Sequence, residues 1–320
     1  MKASLERWLA RRWYGGIEPG LGLRALAGIY RMASTRSNAP AQQLPVPVIV
    51  VGNFTAGGTG KTPLVIALAR FFRAEGYRPA IVSRGHGRKS VQPLQVAADT
   101  DVSECGDEPK LMFERTGVPV FVDSDRLAAA KRAAAGHCDL VISDDGLQHH
   151  RLGRDVEIEV VDGMRGYGNG LLIPAGPLRE RPRTCDLRVV TGQGARPGDW
   201  AMELRLADAV PINGQAGVRS LSGFSASPVH AVAGIGNPGR FFEALRSKGL
   251  ILVEHAFEDH HVFVAEDFAG LSGPVLMTEK DAVKCRGLGL DSAWAVPVEA
   301  EFPPGFYAAV RDRLERAHAG

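Results

Sequence analysis

The sequence predicts an α/β protein in which helices cover both faces of a parallel sheet, with a second, smaller α/β domain after it. Three observations lead to this prediction. Short apolar runs alternate with helical patterns along the chain. Several of these runs are too uniformly apolar to keep one face in water, as is typical of buried parallel strands. The length of 320 residues suits two domains of ordinary size.

The first domain shows the alternation most clearly. Its predicted strands are VPVIVVGN, RPAIVSRG, VPVFVD, DLVISDDG, VEIEVVDG and DLRVVTG. Its predicted helices are TPLVIALARFFRAEG, DEPKLMFERTG and SDRLAAAKRAAAG. The stretch RPGDWAMELRLADAVPINGQAG breaks the rhythm with turn residues, and we predict that it is a connection.

A second α/β unit begins at PVHAVAGIGNPGRFFEALRSKGL, which is typical of a strand, a glycine turn and a helix. Further strands are predicted in LILVEHAF, GPVLMTEKDA and AWAVPV, and a last helix over 303–317. The letters GIGNPG lack the third glycine of a dinucleotide turn, so no nicotinamide site is predicted. We expect residues 1–37 to be an amphipathic segment, 38–218 the first domain and 219–320 the second, with STRSNAPAQQLPVP as a linker.

Composition excludes several classes of protein. Hydrophobic residues at 45% and charged residues at 23% are ordinary values for a globular chain. A net charge of 38 minus 36, or +2, gives no argument for a nucleic-acid partner. Four scattered cysteines have no zinc spacing, and no segment suits a signal peptide or a spanning helix. We expect a cytoplasmic protein with at most peripheral membrane contact, and no required protein partner is evident.

The amino-terminal segment 1–37 is strongly basic, with seven basic residues against two acidic ones. Trp8 and Trp13 lie among these cations, a pattern that suits an anionic bilayer interface. The alternative is a pair of helices packed on the main domain, because most amphipathic helices face a protein core. The segment alone favours that alternative.

A glycine-rich turn, GNFTAGGTGKTP, joins the first strand to the first long helix. Backbone N–H groups around such a turn and the helix amino terminus favour bound phosphates. Lys61 can reach the outer phosphates and Thr62 can coordinate Mg²⁺. A strict motif would need glycine at position 55, but the flanking strand and helix predict a P-loop NTPase-type domain rather than a plain turn. The predicted nucleotide-binding residues are Thr55, Gly57, Gly58, Thr59, Gly60, Lys61 and Thr62.

Two carboxylates follow a later strand in DLVISDDGLQHH. Asp144 is the natural second partner for Mg²⁺, and the alternative for the pair is a solvated turn with a helix cap. A guanine-reading motif would require Asn/Thr-Lys-x-Asp, whereas in TEKD Lys280 directly precedes Asp281. This spacing weakens the prediction of a GTPase.

Taken together and in this order, GNFTAGGTGKTP, SRGHGR, GDEP, DDGLQHH, PAGPLRE, DHH and TEKDAVK make the chain closely similar to the tetraacyldisaccharide 4'-kinase family of the lipid A pathway. The resemblance spans nearly the whole chain, and the shifted glycines are a trait of that family. His86 and Leu147 depart from it, since the family commonly has Tyr and Phe there. The resemblance implies ATP and Mg²⁺ as cofactors, and transfer of the γ-phosphate to the 4'-hydroxyl of tetraacyldisaccharide 1-phosphate, giving the 1,4'-bisphosphorylated lipid IVA.

The resemblance also implies roles for individual residues. Asp107 in GDEP is expected to be the general base, tuned by a histidine of the second domain, either His260 or His261. Without the family context Asp107 would be interpreted as a helix cap. Glu108 is expected to support magnesium. If the base and its histidine lie in different domains, a closing motion must bring them together.

The remaining expected site residues surround the phosphates and the acceptor. Lys61 and Asp145 are counted with the catalytic residues. The expected substrate-binding residues are Arg84, Arg88, His149, Arg179 and Glu180. Since the acceptor is an acylated disaccharide lipid, the resemblance reverses the weighting for residues 1–37 and favours peripheral binding at the anionic, cytoplasmic face of the bacterial inner membrane. The competing hypothesis is a nucleotide-dependent switch or metallochaperone-type ATPase without a lipid acceptor.

Overall fold

A computed structural model describes residues 2–33, 40–213 and 217–319. Part of the predicted linker and Arg36 lie outside the described residues. The chain divides into two compact units that are discontinuous in sequence. Unit 1 comprises Met1–Arg84, Val118–Glu203 and Phe302–Gly320, and unit 2 comprises Gly85–Gly117 and Leu204–Glu301. The division into 1–37, 38–218 and 219–320 stays a prediction.

The helices and strands follow the predicted alternation. The α-helices are α1 Lys2–Tyr14, α2 Leu21–Ala33, α3 Lys61–Ala74, α4 Val102–Cys105, α5 Asp107–Thr116, α6 Arg126–Ala135, α7 Pro238–Arg246, α8 Glu279–Cys285 and α9 Phe306–Ala319. The strands are β1 Val48–Gly52, β2 Pro79–Ser83, β3 Leu94–Gln95, β4 Val120–Val122, β5 Leu140–Asp144, β6 Val156–Asp162, β7 Leu187–Thr191, β8 Trp200–Leu206, β9 Val210–Pro211, β10 Val229–Ala233, β11 Leu252–Ala256, β12 Val275–Thr278, β13 Ala293–Val296 and β14 Val298–Glu301. Short 3₁₀ turns occupy Leu221–Phe224 and Ala265–Phe268.

Unit 1 contains a parallel sheet in the order β8-β7-β6-β1-β5-β2-β4. Strands β1, β2 and β5 are buried along their whole length, which explains their uniformly apolar sequences. Leu64, Leu68 and Phe72 of α3 are fully buried. The predicted α/β fold with a parallel sheet is therefore confirmed.

One predicted connection is wrong. The stretch RPGDWAMELRL contains β8, which pairs with β7 in parallel. Along β8 only Met202 is buried, so this strand lacks the continuous apolar run of the central strands. Its charged residues and the turn residues before it made it resemble a loop.

Unit 2 contains a smaller sheet in the order β11-β10-β12-β13-β9. Its pairs are parallel, except that β9 runs antiparallel to β13. Phe241, Phe242 and Leu245 of α7 form part of its core. None of the helices described by the structure is both long and apolar enough to cross a membrane.

The parallel order determines where polar residues gather in unit 1. Strand β1 lies beside β5, and β5 lies beside β2. The carboxyl ends of parallel strands meet at one edge, where α/β proteins bind ligands. The glycine-rich turn, Asp144 and Ser83 therefore share that edge.

Candidate active site

The glycine-rich turn of unit 1 leads directly into α3. The helix begins at Lys61, so Thr62 and Pro63 occupy its first turn, where the missing N–H of proline is tolerated. Gly57 and Gly60 have φ values of 110° and 91°, in a region that favours glycine. The letters GGTGK therefore suit a turn that presents backbone N–H groups before a helix amino terminus.

Backbone contacts hold this turn in shape. Ala56 N donates to Pro177 O at 2.7 Å, and Arg179 N donates to Phe54 O at 2.7 Å. Thr191 Oγ1, at the end of strand β7, donates to Thr59 O at 2.7 Å. The PAGPLRE segment thus packs beside the glycine-rich turn and is hydrogen-bonded to it, which gives these two motifs a shared structural role.

Three charged side chains meet beside the turn. Lys61 Nζ lies 3.4 Å from Asp145 Oδ1, and Arg179 Nη1 donates to Asp145 Oδ2 at 2.7 Å. Lys61 also donates to Asn53 Oδ1 at 3.0 Å. Burial acts to raise the pKa of Asp145, but the charges of Lys61 and Arg179 outweigh it and hold that pKa far below its usual range. Asp145 is therefore ionised and orients two cations suited to bind phosphate.

Asp144 is the other carboxylate of this edge. It is 3% exposed, and its Oδ2 accepts a hydrogen bond from Ser83 Oγ at 3.0 Å. Asp144 and the Thr62 hydroxyl offer hard oxygen atoms, the donors that Mg²⁺ prefers. Within the described ranges, no cluster of three or more His, Cys, Asp or Glu side chains could hold a metal ion. This donor set fits an ion held largely by phosphate oxygens and water rather than a protein cage.

The two histidines of DDGLQHH have different partners. His150 Nε2 lies 3.0 Å from Glu180 Oε2, so the structure pairs Glu180 with His150 rather than with His149. Burial and the charge of Arg126 lower the pKa of His149 to about 4. The charge of Arg84 also acts to lower the pKa of His149.

In unit 2, Asp107 is the first residue of α5 and is 4% exposed. Gly106 is the cap residue of this helix, and Asp107 Oδ1 accepts a hydrogen bond from Glu108 N at 3.0 Å. Asp107 Oδ2 lies 3.0 Å from His260 Nδ1. The structure thus brings Asp107 together with one of its two candidate histidines, inside a single compact unit. The expected closing motion is not needed to form this pair.

A lysine joins the same cluster. Lys280 Nζ lies 3.8 Å from Asp107 Oδ2, 3.4 Å from Glu108 Oε1 and 3.4 Å from Asp259 Oδ1. Burial acts to raise the pKa of Asp107, but the hydrogen bond from His260 and the charge of Lys280 leave it below the ordinary value. The hydrogen bond to Asp107 raises the pKa of His260. The pair therefore consists of a carboxylate and an imidazole that donates its Nδ1–H to it.

Two predicted residues lie elsewhere. His261 Nε2 lies 2.9 Å from Asp267 Oδ2, so its imidazole pairs with Asp267 rather than with Asp107. The Arg88 guanidinium donates to the carbonyl oxygens of Gln92 and Val91 at 2.8 and 3.3 Å. In this arrangement Arg88 stabilises its own loop.

Sequence reasoning missed three polar neighbours of the candidate residues. They are Asn53 beside Lys61, Lys280 beside Asp107, and Arg126, which is 2% exposed and donates to Asp123 O at 2.6 Å. Asn53 lies inside the quoted glycine-rich motif and Lys280 inside TEKD, so motif membership could have indicated both. Arg126 begins an ordinary helical pattern and has no local signal.

Comparisons with known proteins identify the family. The family model described as Tetraacyldisaccharide-1-P 4'-kinase matches residues 20–315. A tetraacyldisaccharide 4'-kinase from Stenotrophomonas maltophilia is 50% identical over 325 residues, covering 95% of this chain and 96% of the relative. The chain belongs to the tetraacyldisaccharide 4'-kinase family. A second member, from Xylella fastidiosa, is 48% identical over 324 residues and is covered to 95% in both chains.

A solved structure supports the same assignment for the fold. It is described as the "apo" form of LpxK from Aquifex aeolicus in complex with ATP. It superposes with a TM-score of 0.69 at 26% sequence identity, covering 92% of this chain and 94% of the other. The protein is thus a kinase of lipid A synthesis that transfers phosphate to a hydroxyl group.

Proposed function

We propose that the enzyme transfers the γ-phosphate of ATP to the 4'-hydroxyl of tetraacyldisaccharide 1-phosphate, with Asp107 as general base. The main observation in support is the buried Asp107–His260 pair, with 3.0 Å between Oδ2 and Nδ1. A sugar hydroxyl is a poor nucleophile and reacts faster when a positioned carboxylate accepts its proton. The product is the 1,4'-bisphosphorylated lipid.

Unit 1 contains the residues proposed to bind the nucleotide. Backbone N–H groups from Gly57 to Lys61 surround the phosphates, and Lys61 and Arg179 neutralise their negative charge. Asp145 holds these two cations in place before the nucleotide arrives. The ATP complex of the Aquifex relative supports ATP as the phosphate donor.

A magnesium ion would be held by Thr62, Asp144 and the nucleotide phosphates, with Glu108 as a further candidate. When bound, the ion would neutralise charge that develops on the phosphate oxygens. Ser83 donates to Asp144 and so orients its carboxylate independently of the ion.

Unit 2 contains the groups proposed to activate the acceptor. As the bond from the 4'-oxygen to the γ-phosphorus forms, the bond from that phosphorus to the bridging oxygen breaks, ADP leaves, and the hydroxyl proton passes to the Asp107 carboxylate. His260 holds the carboxylate in one orientation and, with Lys280, keeps it ionised beforehand. His260 therefore acts as the group that orients the base.

Peripheral membrane binding belongs to the same proposal. Helix α2 exposes Leu21, Ile29 and Met32, which are 87%, 63% and 74% accessible. The acceptor carries four acyl chains, so an exposed apolar helix face among cations suits contact with an anionic bilayer. We assign this contact to the cytoplasmic face of the inner membrane, where ATP is available.

The test measures transfer of ³²P from γ-labelled ATP to tetraacyldisaccharide 1-phosphate in detergent micelles. Native protein should label the lipid. Asp107→Asn should lower kcat by at least about a hundredfold, a magnitude typical of lost acid–base catalysis. Lys61→Ala should lower kcat by at least about a hundredfold as well, a magnitude typical of the loss of one group that stabilises charge in the transition state. The matched control, Asp291→Asn, changes an exposed carboxylate of unit 2 and should retain native activity.

The competing switch hypothesis predicts a different result. An ATPase switch would hydrolyse ATP without the lipid and would label none of it. Full activity of Asp107→Asn with Lys61→Ala inactive would retain the kinase and reject Asp107 as base.

A further inference from the structure

The buried carboxylate of Asp281 has no part in the mechanism above. It lies on α8, is 0% exposed and therefore cannot touch a substrate. Its Oδ2 accepts hydrogen bonds from Gly234 N at 2.9 Å and from Thr278 Oγ1 at 2.6 Å. Its Oδ1 lies 2.7 Å from Lys284 Nζ. A buried ion pair of this kind is weak support for stability by itself, so its position requires another explanation.

Gly234 connects this carboxylate to the turn that contains His260. Gly234 O accepts a hydrogen bond from His260 N at 3.3 Å, and Ala233 O accepts one from Phe257 N at 2.9 Å. The turn is therefore hydrogen-bonded to Ala233, the last residue of β10, and to Gly234, which follows it. His260 itself has φ 62°, a left-handed conformation that a non-glycine residue keeps only when neighbouring contacts enforce it.

Packing around Gly234 is tight on three sides. A Cβ at Gly234 would lie 3.1 Å from Asp281 Oδ1, 3.3 Å from Glu258 O and 3.3 Å from Phe263 Cζ. The Lys284 ammonium lies 5.0 Å from the centroid of the Phe263 ring. The Asp281–Lys284 pair thus contacts the turn at both the Gly234 end and the Phe263 end.

We propose that Asp281 is a positioning residue for phosphoryl transfer: it fixes Gly234, and Gly234 fixes the backbone of His260 so that Nδ1 stays 3.0 Å from Asp107. The inference rests on the proposed function, in which His260 orients the base. An error of about 1 Å in a supporting group can reduce catalysis strongly without affecting substrate binding.

Two double variants test the hydrogen bonds that Asp281 Oδ2 accepts from Gly234 N and Thr278 Oγ1. Asp281→Leu with Lys284→Met removes the acceptor and both charges, whereas Asp281→Asn with Lys284→Met removes both charges but keeps an oxygen for Gly234 N. Replacing a buried ion pair by apolar side chains is often neutral for stability, so both proteins should fold. We expect the Leu variant to lose about tenfold in kcat with unchanged KM for both substrates, and the Asn variant to stay within about threefold of native kcat.

The same two double variants are then made in a protein that also carries His260→Ala. If Asp281 acts through His260, the Leu variant should cost less than about twofold further in that background, because the residues form one unit. Val283→Ala, a core change on the same helix, serves as the control for destabilisation of α8 and should leave kcat native. An equal loss in both backgrounds, or equal kcat for the Leu and Asn variants, would overturn the proposal.

Failure of the proposed function gives a different pattern. If His260→Ala alone keeps native kcat, then His260 does not orient the base, and both that part of the proposed function and the role of Asp281 are rejected. If His260→Ala is impaired and the Leu variant is native, only the role of Asp281 is rejected.

Discussion

His149 and His150 are adjacent in the chain but have different surroundings. His150 lies against Glu180, whereas burial and the charge of Arg126 lower the pKa of His149 to about 4. The His149 imidazole is therefore neutral at pH 7. It can exchange hydrogen bonds with an acceptor sugar, but it contributes no charge toward phosphate.

This low pKa predicts a pH-dependent loss of stability. An unfolded histidine titrates near 6.5, so between about pH 6.5 and 4 the unfolded chain binds more protons at His149 than the folded chain does. Stability contributed by neutral His149 is present above pH 6.5 and is lost as the pH falls toward 4. The urea midpoint of the native protein should therefore decrease on acidification relative to that of His149→Gln.

The measurement compares urea unfolding of the two proteins at a series of pH values, together with the NMR titration of the ring signal that disappears in His149→Gln. A difference in midpoint that stays constant from neutral to acid pH, with a ring titration near 6.5, would contradict the prediction.

The DHH motif does not determine which of its two histidines, His260 or His261, pairs with Asp107. The letters DHH place both imidazoles in one turn, and either could have faced Asp107. The left-handed backbone at His260 and the bond from its N–H to Gly234 decide the matter. The bond goes to the residue that follows β10, more than 20 residues away in the chain. Local spacing therefore could not predict the partner.

The start of helix α5 determines the position of Asp107, the proposed general base. It begins at Asp107, and the preceding Gly106 has φ 94° and ψ 155°, a conformation that is essentially restricted to glycine. A Cβ at Gly106 would lie 3.0 Å from His86 O. At its other end, Arg115 donates to Glu279 of α8 at 2.6 Å, so both ends of α5 are fixed within unit 2.

Gly106→Ala should therefore affect both stability and activity. The strained backbone is expected to cost about 1–3 kcal/mol in the free energy of unfolding. Because Asp107 follows directly, relief of that strain would move the carboxylate, and kcat should decrease about tenfold or more at unchanged KM for ATP. Urea denaturation and the ³²P assay measure the two effects.

Gly136→Ala is the matched control, since Gly136 has an ordinary φ of −88° at the end of α6 and room for a Cβ at 3.4 Å. It should keep native kcat. If Gly106→Ala has native stability and native kcat, the backbone at Gly106 does not determine where Asp107 lies.

At the scale of the whole molecule, the fold class and the central strands could be predicted because buried parallel strands have a local signature. The sequence could not, however, predict that α5 belongs to unit 2. Its helical pattern gives no sign that it packs with α8 in unit 2, since that depends on contacts such as Arg115 with Glu279 across 164 residues. The motif residues were found, while the pairing of Asp107 with His260 required three-dimensional structure.

The amino-terminal helices α1 and α2 combine contacts to protein with exposed apolar side chains. Trp13 Nε1 donates to Pro174 O at 3.0 Å, and Tyr30 Oη donates to Arg179 O at 3.1 Å, so α1 and α2 each contact the PAGPLRE region of the same unit. Leu26 and Ile29 of α2 nevertheless remain 52% and 63% exposed. Packing on protein therefore does not exclude the membrane contact proposed for this segment, because α2 contacts protein through Tyr30 and still exposes apolar side chains.

Leu26→Glu and Ile29→Glu should each weaken binding to vesicles that contain phosphatidylglycerol. Loss of a buried aliphatic side chain costs about 1.5–3 kcal/mol, and repulsion of the new charge by anionic lipid adds about 1 kcal/mol, so partitioning should fall at least about tenfold. Val91→Glu is the matched control, since Val91 is an apolar residue of unit 2 that is 79% exposed. Vesicle flotation at low and high salt measures the partitioning, and high salt should weaken native binding through the basic segment.

Kinase activity in detergent micelles should stay native in all three variants, which separates membrane binding from folding. If all three variants float like the native protein, the bilayer contact does not involve α2.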